Sequence, residues 1–163
     1  MIVRDLCTCK VTTCHLDTNL AEVAERLGAQ DCGALPVLDD AEKVVGVITD
    51  RDVAMALAAR KEKAARLPAR DVMTAPAHCV HPDDSVALAM RYMRQYQVRR
   101  IPVVDGLGKV QGLLSMNDLI LHAQEDLPGS PPSLPYSEVM ETLKVLNTHP
   151  VARLKRKPTL VHA

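Results

Sequence analysis

The sequence predicts an α+β (α/β-type) fold: two β-α-β-β-α repeats packed sheet to sheet about a pseudo-twofold axis. Three observations carry this reading. The heptads GVITDRD at 46–52 and GLLSMND at 112–118 share a glycine, two aliphatics, a hydroxyl residue (Thr49, Ser115), two variable positions and an aspartate (Asp52, Asp118). Sliding the chain by 66 residues extends the match without a gap: RDLCT at 4–8 falls on RDVMT at 70–74, His15 and Asp17 on His81 and Asp83, LPVLD at 35–39 on IPVVD at 101–105, and KVVG at 43–46 on KVQG at 109–112. Within each copy, helical and strand-like apolar spacing alternate in the same order.

Each element has a local reason. A short apolar stretch (TTCHL, then AHCVH) opens each copy as a strand. A helix follows, because Leu20, Val23, Ala24 and Leu27 recur at i, i+3, i+4 and i+7, and Val86, Met90 and Met93 keep a similar stripe. Asn19 with Glu22, and Ser85 or Asp84, have the side chains of helix N-terminal caps. Two strands come next, ALPVLD with KVVGVIT and IPVVD with KVQGLLS, joined by turns of Asp, Gly, Glu and Lys. The hydroxyl residue closes the second strand, and the aspartate opens a second helix (DVAMALAARKEK; DLILHAQE). One such unit has a sheet face it cannot cover alone; two copies face to face cover each other and leave clefts at the seam. The organisation is a first repeat over 1–66, a second over 67–126, and a tail over 127–163.

Composition narrows the function. With 47% hydrophobic residues but no Trp or Phe, the core is aliphatic and methionine-rich. Twenty basic residues balance 20 acidic ones, and Tyr92, Tyr96 and Tyr136 are the only Tyr, Phe or Trp aromatics, so a nucleic-acid partner is disfavoured. No segment has the length or apolarity of a secretory core or a membrane span, and five cysteines, an odd number, suit a reducing compartment; the expectation is a cytoplasmic protein without a membrane partner. There is no Gly-rich phosphate loop, nucleophile elbow or H-E-x-x-H arrangement, so no catalytic residue is assigned and the chain is not read as an enzyme.

The duplicated apolar-Pro-Val-apolar-Asp strand, the glycine of the next strand, and Gly-apolar-apolar-Thr/Ser-x-x-Asp, in register over roughly residues 1–125, resemble a tandem pair of cystathionine-beta-synthase (CBS) domains, a Bateman module of the stand-alone bacterial type. The resemblance implies a non-catalytic regulatory or sensor module that binds an adenine nucleotide (AMP, ADP, ATP or a related adenosyl ligand) between the repeats. No cofactor is required. It further implies a homodimer and an unidentified effector protein that reads the ligand state. The nucleotide-binding roles it implies fall on Thr49 with Asp52 and Ser115 with Asp118, the hydroxyl on phosphate and the carboxylate on the ribose diol. A carboxylate can accept two hydroxyl hydrogens at once, which suits that task. Adenine would need a flat apolar slot, expected from strands around Val11, Val80, Leu35, Ile101 and Pro102. Arg99 and Arg100 precede the second proline strand where the first copy has Gly33 and Ala34, so one cleft is expected to favour phosphate.

Alternatives stay beside these readings. Thr-x-x-Asp is also a capping box, and the two roles are compatible. Arg99 and Arg100 could instead pair with Asp83, Asp84 or Asp105 at a solvated strand end. Cys7, Cys9, Cys14 and His15 form a C-x-C-x4-C-H run, but Cys14 lies in an expected core strand and Cys7 matches Met73, so buried small hydrophobes are favoured over a metal site. The rival function is a structural protein-interaction module with empty clefts and redox or zinc sensing through its cysteines. In the tail, LPGSPPSLPY reads as a stiff spacer, SEVMETLKVLNTHP as a short helix with Val139, Leu143 and Leu146 on one side and Pro150 after it, and Arg153, Lys155, Arg156 and Lys157 as a basic end.

Overall fold

The computed structural model describes residues 1–125 and 134–148. The first repeat contributes β1 (Cys14–His15), α1 (Leu20–Ala29), β2 (Ala34–Leu38), β3 (Val44–Thr49) and α2 (Asp50–Arg60). The second contributes α3 (Val86–Tyr96), β4 (Arg100–Val104), β5 (Val110–Ser115) and α4 (Met116–His122), followed by α5 (Tyr136–Asn147). β1 runs parallel to β2, which pairs antiparallel with β3; β4 and β5 form the matching antiparallel pair. Both pairs carry a register shift at the same place, between Val37 and Leu38 and between Val103 and Val104.

The opening strand expected in the second copy is reduced to a single parallel bridge, Val80 to Val103, the counterpart of Cys14 to Val37 in the first. His81 is followed by Pro82, which has no backbone N–H to extend the ladder. In the first copy the strand is also short, two residues rather than TTCHL.

Local chemistry sets the boundaries. Asn19 caps α1 by accepting from the Ala21 and Glu22 amides at 3.1 Å, and Ser85 caps α3 through the Leu88 amide at 3.2 Å. In the hairpin turns, Asp39 Oδ1 accepts from the Ala41 and Lys43 amides, and Asp105 Oδ1 from those of Leu107 and Lys109. The second turn uses Gly108 at φ +82 where the first has Glu42 at φ 62, a left-handed position that suits glycine.

The sequence repeats are not the packing units. Val3 and Leu6, from the start of the first repeat, lie in the core of the second with Met90, Met93, Ile101 and Leu114. Leu67 and Ala69, from the start of the second, lie in the core of the first with Val23, Leu35 and Ile48. Two reciprocal backbone pairs hold this exchange: Thr8 with Leu113, both bonds 3.0 Å, and Thr74 with Val47, 2.9 and 3.0 Å. Ion pairs between Arg4 and Asp83 and between Arg70 and Asp17 repeat the same symmetry. The shared glycines make the crossings possible. A Cβ on Gly112 would lie 2.8 Å from the Thr8 carbonyl oxygen, and one on Gly46 would lie 2.5 Å from the Met73 sulfur.

α5 packs on α3 and α4, burying Val139, Thr142 and Leu146, with Leu134 just before the helix, into the second core. The corresponding face of the first repeat, between α1 and α2, is an open groove of about 650 Å³ lined by Ala24, Leu27, Gly28, Val53 and Leu57. Of the proline-rich stretch LPGSPPSLPY over 127–136, residues 127–133 lie outside the described residues, as does the basic end beyond 148; Leu134 is buried, and Pro135, at the N-cap, and Tyr136 start α5 instead of continuing the spacer. No helix among the described residues is long and apolar enough to cross a membrane.

Candidate functional site

Two clefts open along the seam, and their walls are related by the same 66-residue offset as the sequence. The first, about 430 Å³, is bounded by Thr49 and Asp52 at the β3–α2 junction, by the Thr74–His78 segment, and by Arg99, Arg100 and Pro102 at the start of β4. The second, about 320 Å³, is bounded by Ser115 and Asp118 at the β5–α4 junction, by the Thr8–Thr12 segment, and by Asp31, Cys32 and Gly33. Each cleft therefore draws one junction from one repeat and the start of the proline strand from the other. The groove between α1 and α2 is larger than either, but its lining is mainly apolar and it lacks a hydroxyl–carboxylate pair.

Both hydroxyl–carboxylate pairs are closed capping boxes. Asp52 Oδ2 accepts from the Thr49 amide at 2.9 Å and the Thr49 hydroxyl at 2.7 Å, while Thr49 Oγ1 accepts the Asp52 amide at 3.2 Å. Asp118 and Ser115 repeat this at 2.7, 2.6 and 3.3 Å. The cap thus occupies Oδ2 in each pair; Oδ1 accepts no hydrogen bond among the described residues. Both residues of each pair are only partly buried and face their cleft.

The clefts differ in charge. The first holds three arginines, Arg51, Arg99 and Arg100, against two carboxylates, Asp50 and Asp52. The second holds Lys10 and Arg100 against Asp31 and Asp118. Arg100 serves both, because Gly33 leaves room for it: a Cβ there would sit 2.8 Å from a guanidinium nitrogen. Neither arginine pairs with Asp83, Asp84 or Asp105. Those carboxylates are engaged by Arg4, by the His81 amide at 2.7 Å, and by the β4–β5 turn. The turn amides of Lys109 and Leu107 hold the Asp105 carboxyl below its usual range. Arg99 instead donates to Asn147 Oδ1 at 2.6 Å.

Strand alternation sorts the expected adenine slot. Arg100 and Pro102 of β4 face the cleft, whereas Ile101 and Val103 point into the core and are fully buried. Val80 and Leu35 are core residues for the same reason, and Val11 lines the second cleft. Sequence reasoning missed His78, which lines the first cleft and stacks on Tyr96 at a centroid distance of 3.4 Å, with Tyr92 edge-on to Tyr96 at 5.7 Å. Its one legible signal is Tyr92 and Tyr96 spaced i, i+4 on a helix. Arg51, Thr74 and Gln97 were also missed.

The cysteine run is divided by the exchange of segments: Cys7 packs against the second core and Cys14 is buried in the first. Burial pushes the Cys14 and Cys79 thiols up to about 11 and raises Cys7 as well. Among the described residues, no group of three His, Cys, Asp or Glu side chains is placed to hold a metal ion.

The CBS domain family model matches residues 3–59 and 69–125. An uncharacterised protein of Bacillus subtilis, YlbB, is 34% identical over 124 residues, covering 75% of this chain and 82% of that one. Other curated relatives include enzymes of which the chain spans only a small part, such as 22% of the L-aspartate semialdehyde sulfurtransferase of Methanocaldococcus jannaschii. Among solved structures, the CBS domain pair of MJ0100, in complex with 5'-methylthioadenosine and S-adenosyl-L-methionine, superposes with a TM-score of 0.68 at 29% identity, covering 74% of this chain and 94% of that one. CBSX2 in complex with AMP superposes with a TM-score of 0.62 at 26% identity, covering 74% and 93%.

Proposed function

The chain belongs to the CBS-domain family, and from that premise we propose that it is a non-catalytic sensor binding an adenine nucleotide at the seam between its repeats. One observation carries the reading: a cleft lined by a capped carboxylate whose Oδ1 accepts no hydrogen bond among the described residues, by Arg51 beside it on α2, and by Arg99 and Arg100 from the start of β4. Asp52 Oδ1 is available to the ribose diol, and Arg51, Arg99 and Arg100 supply charge-assisted donors to phosphate. Thr49 already donates to Asp52, so its hydroxyl meets phosphate only by turning away from the cap. The second cleft, with Asp31 in place of Gln97 and Gly33 in place of Arg99, suits an adenosyl group with little or no phosphate.

Homodimerisation belongs to the same proposal. The open α1–α2 groove takes the same face of a second copy, beside the exposed Met55 and the small residues Ala24, Gly28 and Ala54. α2 begins with Asp50 and Asp52 and ends with Arg60 followed by Lys61, so two copies of α2 packed antiparallel about a twofold axis oppose unlike charges. A cytoplasmic effector that reads the angle between the repeats completes the sensor.

Calorimetric titration of the full chain with AMP, ADP, ATP, adenosine, 5'-methylthioadenosine and S-adenosyl-L-methionine tests the ligand. Saturable binding of at least one phosphorylated nucleotide, weakened in Arg100→Ala and Asp52→Ala, is expected. Heats indistinguishable from dilution for every adenosyl compound would overturn the proposal in favour of an interaction module with empty clefts.

A further inference from the structure

α5 lies beyond both segments matched by the family model, yet it touches the candidate ligand site. Its rotation on the second repeat is set by Thr142, fully buried, which accepts from Arg94 at 2.7 Å and donates to the Glu138 carbonyl at 2.9 Å. That rotation brings Asn147, at the end of the helix, over Arg99. The Asn147 amide nitrogen donates back to the Leu143 carbonyl at 2.8 Å, which turns Oδ1 toward the Arg99 guanidinium at 2.6 Å. Arg99 is also held at its backbone, where its carbonyl accepts the Met116 amide at the start of α4. Its guanidinium has five N–H donors in a planar fork, and Asn147 takes one, leaving the others to the cleft. The asymmetry of the two repeats agrees: the first has Gly33 where the second has Arg99, and among the described residues no helix covers its α1–α2 face.

We propose that Asn147 is a positioning residue for phosphate in the first cleft, so that α5 reports whether that cleft is filled. This rests on the nucleotide reading above. Arg99 held by Asn147 is pre-organised for phosphate and loses less side-chain freedom on binding. Linkage makes the effect mutual: an α5 that tightens the ligand is itself tightened by it.

The test titrates AMP and adenosine into the full-length wild type, Asn147→Ala and Asn147→Asp, with hydrogen exchange of the α5 amides followed in parallel. Asn147→Ala is expected to weaken AMP by about three- to tenfold, the range of one hydrogen bond's net contribution, and to leave adenosine unchanged. AMP is expected to slow exchange in the last turn of α5 in the wild type and not in Asn147→Ala. Asn147→Asp keeps the helix docked through an ion pair but neutralises Arg99, so AMP weakens further while α5 protection stays high. If the helix only braces the fold, Asn147→Asp retains wild-type AMP affinity, and that result overturns the proposal. It is equally overturned if adenosine weakens as much as AMP, or if both variants bind AMP within twofold of the wild type. A wild type that binds neither ligand removes the nucleotide reading and this proposal with it.

Discussion

Alanine at Asp52 separates the role this carboxylate has in the fold from the role assigned to it in the ligand site. In the free protein, Asp52→Ala deletes two hydrogen bonds to Oδ2, at 2.9 and 2.7 Å, from the partly buried first turn of α2. It also removes a negative charge from the positive end of that helix. Capping losses of this kind cost about 1–2 kcal/mol, which in a domain of this size lowers the melting temperature by roughly 3–6 °C. Asp118→Ala, with the same bonds at 2.7 and 2.6 Å, is expected to cost a similar amount. The two variants part company when ligand is added. At a concentration of about 100 Kd, AMP stabilises the wild type by about 2.7 kcal/mol. If Asp52 also holds the ribose diol, its loss weakens binding by about ten- to a hundredfold. At the same AMP concentration the stabilisation then falls to about 0.4–1.4 kcal/mol. Differential scanning fluorimetry with and without AMP reads both quantities on one plate. A melting temperature within 1 °C of wild type in the absence of ligand refutes the capping argument. A normal drop in the free protein with an undiminished AMP increment in Asp52→Ala shows that the carboxylate caps the helix and does nothing for ribose.

Other consequences concern the seam, the turns and the thiols. Gly112→Ala sets a Cβ 2.8 Å from the backbone oxygen of Thr8, so the strand crossing must move. A loss of about 1–3 kcal/mol in urea unfolding is expected. Glu42→Gly relieves a left-handed residue at φ 62 where the second repeat already has Gly108, and is expected to stabilise by about 0.5–1 kcal/mol in the same assay. Cys14 and Cys79 stay protonated in the folded state up to about pH 11, whereas their ordinary value is 9.0. Their contribution is therefore complete below pH 9 and is lost as pH rises toward 11, because only the unfolded chain ionises them in that window. Stability measured from pH 8 to 11 is expected to fall less steeply in a Cys14→Ala/Cys79→Ala variant than in the wild type, and an identical slope would contradict the assignment.

Much of this protein is legible in one dimension. The 66-residue offset, the helix stripes and the hairpin turns all depend on residues a few positions apart, and each recurs, so every local signal is read twice. The hydroxyl–aspartate pairs were visible for the same reason, since a capping box is a contact between i and i+3. Contacts between distant segments left no such trace. Nothing in RDLCT or RDVMT says that each will pack on the other repeat's sheet, because the two cores are chemically alike and both would accept the segment. The glycines at 46 and 112 admit a crossing strand, and Asp83 and Asp17 pair with Arg4 and Arg70, but each repeat offers the same glycine and the same carboxylate, so these features permit the exchange without selecting it. Likewise Ile101 and Pro102 look equally suited to an adenine slot until the pleat sends one inward and the other to the cleft. Arg99 finds its partner 48 residues away, on a helix that has no counterpart on the first repeat among the described residues. Short-range periodicity and duplication are therefore properties of the chain. Which core a segment joins, which way a strand residue points and which side chain holds an arginine are choices between near-equal local options, and only the packed whole breaks the tie.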